Sequence, residues 1–195
     1  RSLFEYAPDA IVAVDRTGRI VQANLQAEQM FGYNRDELEG RSIEVLLPDR
    51  LRNAHRQHRA AFSREPRRRP MGAGLRLVGL RKEGAEFPID ITLTPVEDRA
   101  DGVVMAVARD MTEQREARRR FRQILESAPD AMIIVGPDLR VIQVNGHAER
   151  LFGRARQDLV GQPATLLIPP RFRHAAVDGL NAFFREPRMM HLGGD

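Results

Sequence analysis

Two histidines, His55 and His58, are the residues best placed to do chemistry, three apart within residues 49–63. A neutral imidazole is a common metal ligand and titrates near neutral pH. At this spacing two imidazoles share one helix face and could hold one ion. No acidic residue completes a recognisable ligand set, and the chain contains no cysteine. That removes disulfides, thiolate metal sites and thiol-based photochemistry or catalysis. His147, His174 and His191 sit in no context that suggests phosphate acceptance. No Gly-rich phosphate loop, nucleophile elbow or paired carboxylates mark a reaction site. Asp9 and Asp130, each within Ala-Pro-Asp-Ala, read as turn residues. The residues therefore describe a non-catalytic segment.

The elements that position the histidines follow from apolar spacing. Leu51, Ala54, His55, His58 and Phe62 fall on one face of a helix over 49–63, so both histidines are expected on its apolar side. Before it, the runs 11–14 and 19–22 flank the turn 15–18 as a hairpin. Asn24 starts a helix over 25–31 that stops at Gly32. Asn34 opens a short turn with Asp36 and Glu37 in its first residues, and Gly40 ends it. A third helical piece, 42–47, is closed by Pro48. After the long helix come three strand-like runs, 71–81, 86–95 and 102–109, joined by the tight turn 82–84 and the polar loop 97–101. This order predicts an α+β domain, a five-stranded antiparallel sheet with short helices on one face. Such a cap over a sheet encloses a volume for a small molecule. Leu51, His55, His58, Phe62 and Leu75 are its candidate lining. With Leu77, Phe87, Ile89, Ile91 and Met105 they would equally fill a plain core.

The pattern occurs twice. Ala7-Pro8-Asp9-Ala10 returns as Ala128-Pro129-Asp130-Ala131, an offset of 121 residues that holds without a gap. Asn24 matches Asn145, Phe31-Gly32 matches Phe152-Gly153, and Arg64-Glu65-Pro66-Arg67 matches Arg185-Glu186-Pro187-Arg188. The expected organisation is a first domain over 1–113, a helical linker over 111–127 and a partial second domain over 121–195. The second copy has no counterpart of the last three strands, so Ile133, Val135, Leu151 and Phe183 are expected to be poorly covered. It carries Ala176 and Gly179 where the first has His55 and His58. In the linker, Gln114, Ala117, Phe121, Ile124 and Ala128 form a narrow stripe. Charged residues occupy its other faces, so the stripe reads as a seam with a second copy of the chain or as part of a solvated spacer.

The net charge is +4, Lys82 is the only lysine, and hydrophobic residues make up 42%, ample for a core. Arginines cluster from Arg50 to Arg69, but no docking motif or stacking aromatics accompany them. They read as a solvated helix face running into a loop, with no nucleic-acid partner. No apolar run approaches the ~18 residues of a membrane span, so no direct membrane contact and a cytoplasmic location are expected.

The ordered motifs resemble the PAS domain family. They are Ala7-Pro8-Asp9-Ala10-Ile11, Asn24 with Ala27-Glu28, Met30-Phe31-Gly32-Tyr33, Glu37-Leu38-Glu39-Gly40, Leu46-Leu47-Pro48, Arg81-Lys82-Glu83-Gly84 with Glu86-Phe87-Pro88, and Asp110-Met111-Thr112. The resemblance covers the first copy almost end to end and the second from about Phe121. It implies a sensory module of a bacterial signalling protein, commonly a histidine kinase or a cyclic-di-nucleotide enzyme, with an effector domain in the same chain and a homodimer through the linker. It implies that signals leave through Asp110, Thr112 and the linker helix. It also places His55, seven residues after Pro48, at the position of the iron-ligating histidine of haem-binding relatives. Leu75 then stands where oxygen sensors carry an arginine, so bound O2 would lack a charge-assisted hydrogen bond. Haem, flavin and no cofactor all remain open. So does the reading of a ligand-free pair that serves only dimerisation.

Overall fold

A computed structural model of the chain describes residues 2–64, 69–71, 76–96 and 102–186. The chain divides into two units, Arg1–Glu116 and Ala117–Asp195. The first runs α1 (Ser2–Glu5), β1 (Ala10–Val14), β2 (Ile20–Ala23), α2 (Leu25–Phe31), α3 (Arg35–Leu38), a 3-10 turn (Ile43–Leu46), α4 (Asp49–Arg64), β3 (Arg69–Pro70), β4 (Val78–Leu80), β5 (Glu86–Pro95) and β6 (Val104–Asp110). Helix α5 (Thr112–Ser127) leads out of it. The second unit continues with β7 (Ile133–Val135), β8 (Val141–Val144), α6 (Gly146–Phe152), α7 (Arg156–Leu159), 3-10 turns at Ala164–Leu167 and Pro170–Phe172, and α8 (Arg173–Arg185).

In the first unit all strands are antiparallel, in the order β2-β1-β6-β5, with β3 and β4 both against the remaining edge of β5. β1 is buried along its whole length because it lies between two strands and under the helices. At the hairpin turn, Asp15 Oδ1 accepts the N–H groups of Thr17 and Arg19 at 2.8 and 2.9 Å. The run 71–81 differs from the single strand expected. Met71 N–H reaches the Ile91 carbonyl at 2.7 Å, and Ile89 N–H reaches the Leu77 carbonyl at 3.2 Å. The outer chain thus advances six residues while β5 advances two. β3 and β4 share the fifth position as two short strands, and Leu75 lies outside the described residues.

The caps form as their residue types dictate. The Asn24 side chain accepts the Ala27 N–H at 3.0 Å, and Gly32 ends α2 at φ 75°, where a side chain would be strained. Between sheet and helices lie Phe31, Leu38, Leu46, Phe87 and Ile89, all buried. The Phe31 and Phe87 rings meet edge to face, 5.6 Å apart at 61°. Gly79 makes this packing possible, since a Cβ there would fall 2.8 Å from the Phe87 ring.

The second unit repeats the local geometry. Asn145 caps α6 by accepting the Ala148 N–H at 3.0 Å, and Gly153 ends it at φ 61°. Its core is smaller, built on Val141, Val144, Ala148, Leu159 and Ala164. Ile133 and Val135 are half-buried, whereas their counterparts Val12 and Val14 are buried. The reason is local: β1 is flanked by β6, while β7 pairs with β8 alone among the described residues. Leu151 is exposed and Phe183 half-buried. In α5 the stripe residues Gln114, Ala117, Phe121 and Ile124 are exposed; the residue the helix buries is Leu125, one place off the stripe. No helix among the described residues is long and apolar enough to cross a membrane.

Candidate functional site

Two polar clusters in the first unit join elements that are far apart in sequence. The first is built on Glu44, in the 3-10 turn, whose side chain is 2% exposed. Such a carboxylate must be compensated. Its Oε2 accepts the Ser42 hydroxyl. Its Oε1 lies 3.0 Å from His55 Nδ1 and accepts from Arg59 Nε at 3.3 Å. Arg59 also donates to the Arg16 carbonyl in the β1–β2 turn at 3.5 Å. Burial pushes the Glu44 pKa up, but the Ser42 and His55 hydrogen bonds and the Arg59 charge outweigh it and hold the carboxyl below its ordinary value. The cluster ties α4 to the 3-10 turn and the hairpin. The second copy has Pro163, Thr165, Ala176 and Leu180 at these positions, so the arrangement is particular to the first.

The second cluster lies where the chain leaves the sheet. Arg81, just after β4, pairs with Asp110 at 2.6 Å, donates to the Met30 carbonyl in α2, and places its guanidinium 4.1 Å from the Phe87 ring centre. Asp110 Oδ1 accepts the Thr112 N–H at 2.8 Å, which starts α5. Burial would raise the Asp110 pKa; the contacts from Thr112 and Arg81 overcome it and keep the carboxyl below its ordinary value. Met111 N–H reaches the Pro88 carbonyl at 2.9 Å, fixing the same corner to β5.

The sequence-derived candidates separate in the structure. Asp110 and Thr112 are joined by the Thr112 N–H to Asp110 Oδ1 hydrogen bond. Phe62 is buried, and Leu51 and His55 are half-buried on the inward side of α4. His58, expected on that side, is exposed, as is Ala54. The helix turns Leu51, His55, Arg59 and Phe62 inward instead, at spacings of 4, 4 and 3. Arg59 takes the inward place because its charge is matched by Glu44, which apolar periodicity cannot register. Glu44, Arg59 and Arg81 are the contributors that sequence reasoning missed. The one available signal for Glu44 was a lone acid inside the apolar run 43–47.

Haem, which the resemblance attaches to His55, fits at the ligand atom. A carboxylate on Nδ1 leaves Nε2 for a metal, the usual support for an imidazole ligand. It does not fit at the pocket. Among the described residues, Phe31, Phe87, Leu38, Leu46 and Ile89 pack together between sheet and helices and take up the apolar space a tetrapyrrole would need there. Two open clefts lie on the described surface, one at Pro48, Asp49, Arg50, Leu80 and Glu86, the other at Leu25, Glu28, Gln29, Gly32, Tyr33 and Asn34. His55 lines neither. Among the described residues no three His, Cys, Asp or Glu side chains gather as a metal site.

Comparison with known proteins agrees with this architecture. A family described as "PAS domain" matches residues 8–113, and one described as "PAS fold" matches residues 119–186. Sporulation kinase E of Bacillus subtilis is 30% identical over 159 residues, 78% of this chain and 21% of that protein. Oxygen sensor protein DosP of Escherichia coli is 26% identical over 165 residues, 83% of this chain and 21% of its own length. Sensor protein FixL of Bradyrhizobium diazoefficiens is 24% identical over 124 residues, 64% of this chain and 25% of that protein. The chain thus spans a quarter or less of these relatives. A PAS domain structure from Colwellia psychrerythraea superposes with TM-score 0.50 at 21% identity, covering 57% of this chain and 93% of that one, a likeness of fold.

Proposed function

This chain belongs to the PAS domain family, and from that premise we propose that it is a sensory relay within a multidomain signalling protein of the sensor-histidine-kinase kind. The first unit passes its conformational state to α5, and an effector domain in the same chain reads it. The observation that carries this reading is the Arg81 junction. One guanidinium touches the end of α2, the Phe87 ring in the core and the carboxylate that starts α5. A repacking around Phe31 and Phe87 moves Arg81, and Arg81 moves the Asp110 side chain that holds Thr112. The exposed Phe121 and Ile124 on α5 support a homodimer through this helix, and a cytoplasmic location is consistent with there being no helix among the described residues long and apolar enough to cross a membrane. The test is amide hydrogen exchange on the full 195-residue chain. In Arg81→Ala the first turn of α5 exchanges about tenfold faster, the loss of a partly buried charge pair, while β1 and β6 keep their protection. An unchanged α5 would sink the relay.

A second reading, a coupler that binds no ligand, is favoured by the filled core. Its support is that Phe31 and Phe87 pack edge to face within the first unit's core. On this reading the purified chain, expressed with haem precursor supplied, shows no Soret or flavin absorption. A Soret band lost in His55→Ala would instead make the first unit a haem sensor and show that its core opens.

A further inference from the structure

The end of α5 is built into the second unit. Leu125, in its last full turn, is 4% exposed. The Asn145 side chain, wholly buried, donates to the Leu125 carbonyl at 3.0 Å and to the Asp130 carbonyl at 2.9 Å. Its oxygen accepts the N–H groups of Met132 and Ala148 at 2.9 and 3.0 Å. All its hydrogen-bonding capacity is therefore used to tie the end of α5 to β7 and α6. Beside it, Glu126 reaches further. Its Oε2 accepts the Gly146 N–H at 2.9 Å, and its Oε1 pairs with Arg156 at the start of α7. Arg156 also lies 3.4 Å from Glu149 in α6, whose other oxygen accepts the Arg156 N–H at 2.6 Å. The Gly146 and Arg156 contacts hold the Glu126 carboxyl below its ordinary pKa.

We propose that Glu126, with Gly146 and Arg156, is the receiver through which the second unit registers the position of α5. A residue on a helix turns by about 100° per position. A rotation or shift of α5 by one residue carries the Glu126 carboxylate away from both partners at once, releasing α6 and α7 together. Gln123 and Ser127, exposed neighbours in the same turn, have no such pair of contacts among the described bonds. The proposal rests on the relay reading for the origin of the motion, but the contact itself is tested independently.

The experiment is amide hydrogen exchange on the full chain, comparing the parent with Glu126→Ala, Glu126→Gln and Gly146→Pro. Glu126→Ala is expected to accelerate exchange at 147–150 and 156–159 about tenfold, with 141–144 unchanged. Glu126→Gln keeps an acceptor for the Gly146 N–H but loses the charge pair, so it accelerates 156–159 and spares 147–150. Gly146→Pro removes the donor at a first helical position, where proline is well tolerated. It therefore reproduces the effect at 147–150 without unfolding the unit. Exchange within twofold of the parent in Glu126→Ala overturns the receiver. Asp110→Asn separates the two readings. If it changes the start of α5 and α6 responds only while Glu126 is present, both stand. If α5 responds and α6 follows equally in Glu126→Ala, the receiver fails alone. If α5 does not respond, the relay fails, and the Glu126 variants still decide the receiver.

Discussion

Glu44 shows how a buried charge organises its surroundings. It is acceptable at 2% exposure because a hydroxyl, an imidazole and a guanidinium converge on two oxygens. Its folded pKa lies below the ordinary value of 4.5. The linked stability is therefore fully present above that value and is lost as pH falls through the lower folded one. Glu44→Gln should cost about 1–3 kcal/mol near neutrality, the usual penalty for a weakened buried polar contact. The gap in melting temperature from the parent should narrow as the pH falls below 4.5. Thermal melts across an acid series check this; a gap that does not depend on pH would show that Glu44 is not held ionised. At this scale the sequence was only partly legible. His55 was found from its type and its helix face, but its partner was not. A lone acid in an apolar run looks like a surface residue until the fold brings Arg59 to it from 15 positions away.

At the scale of elements, α4 and α5 behave oppositely. α4 is amphipathic by charge pairing as well as by apolar content, so its inward face is offset from the one apolar spacing gives. For α5 the spacing located the stripe, and that stripe is left bare: Phe121 is 50% and Ile124 66% exposed. Two exposed large side chains one turn apart on an otherwise charged helix suit a two-helix seam. Phe121→Glu should convert a dimeric parent to a monomer in sedimentation while leaving the melting temperature nearly unchanged, because the ring packs against little in its own chain. A parent that sediments as a monomer at high concentration would rule the seam out. The strand over 71–81 could not be divided from sequence. Gly72, Gly74 and Gly79 weaken it as a strand, but where the chain pairs again, and so the four-residue slip against β5, is set by pairing partners rather than by local propensity.

For the whole molecule, the two units carry the same hairpin, caps and first helices at an offset of 121 residues, yet they bury their apolar residues unequally. Val12 and Val14 are covered where Ile133 and Val135 are half-open. At about 25 cal/mol per Å² of apolar surface, that difference makes the second unit the weaker one. Calorimetry of the full chain should resolve two transitions. Leu38→Ala should lower only the upper one and Leu159→Ala only the lower one, each by about 2–5 kcal/mol for a fully buried leucine. The two leucines are wholly buried and occupy equivalent positions in the repeat. One transition that both substitutions shift equally would mean that the units melt as one.

The sequence by itself determined the repeat, the caps, the run of elements from β1 to α4, the linker helix and the absence of thiol chemistry. Each of these is local: a side chain reaching its own backbone, a glycine at positive φ, a periodicity within a dozen residues. The tertiary structure alone decided which charged residues meet. Glu44 found His55 and Arg59, Arg81 found Asp110 and Phe87, and Glu126 found Gly146 and Arg156 because folding placed them within hydrogen-bond reach and took them partly out of water. Their energies depend on that desolvation, and no pattern of types along the chain encodes it.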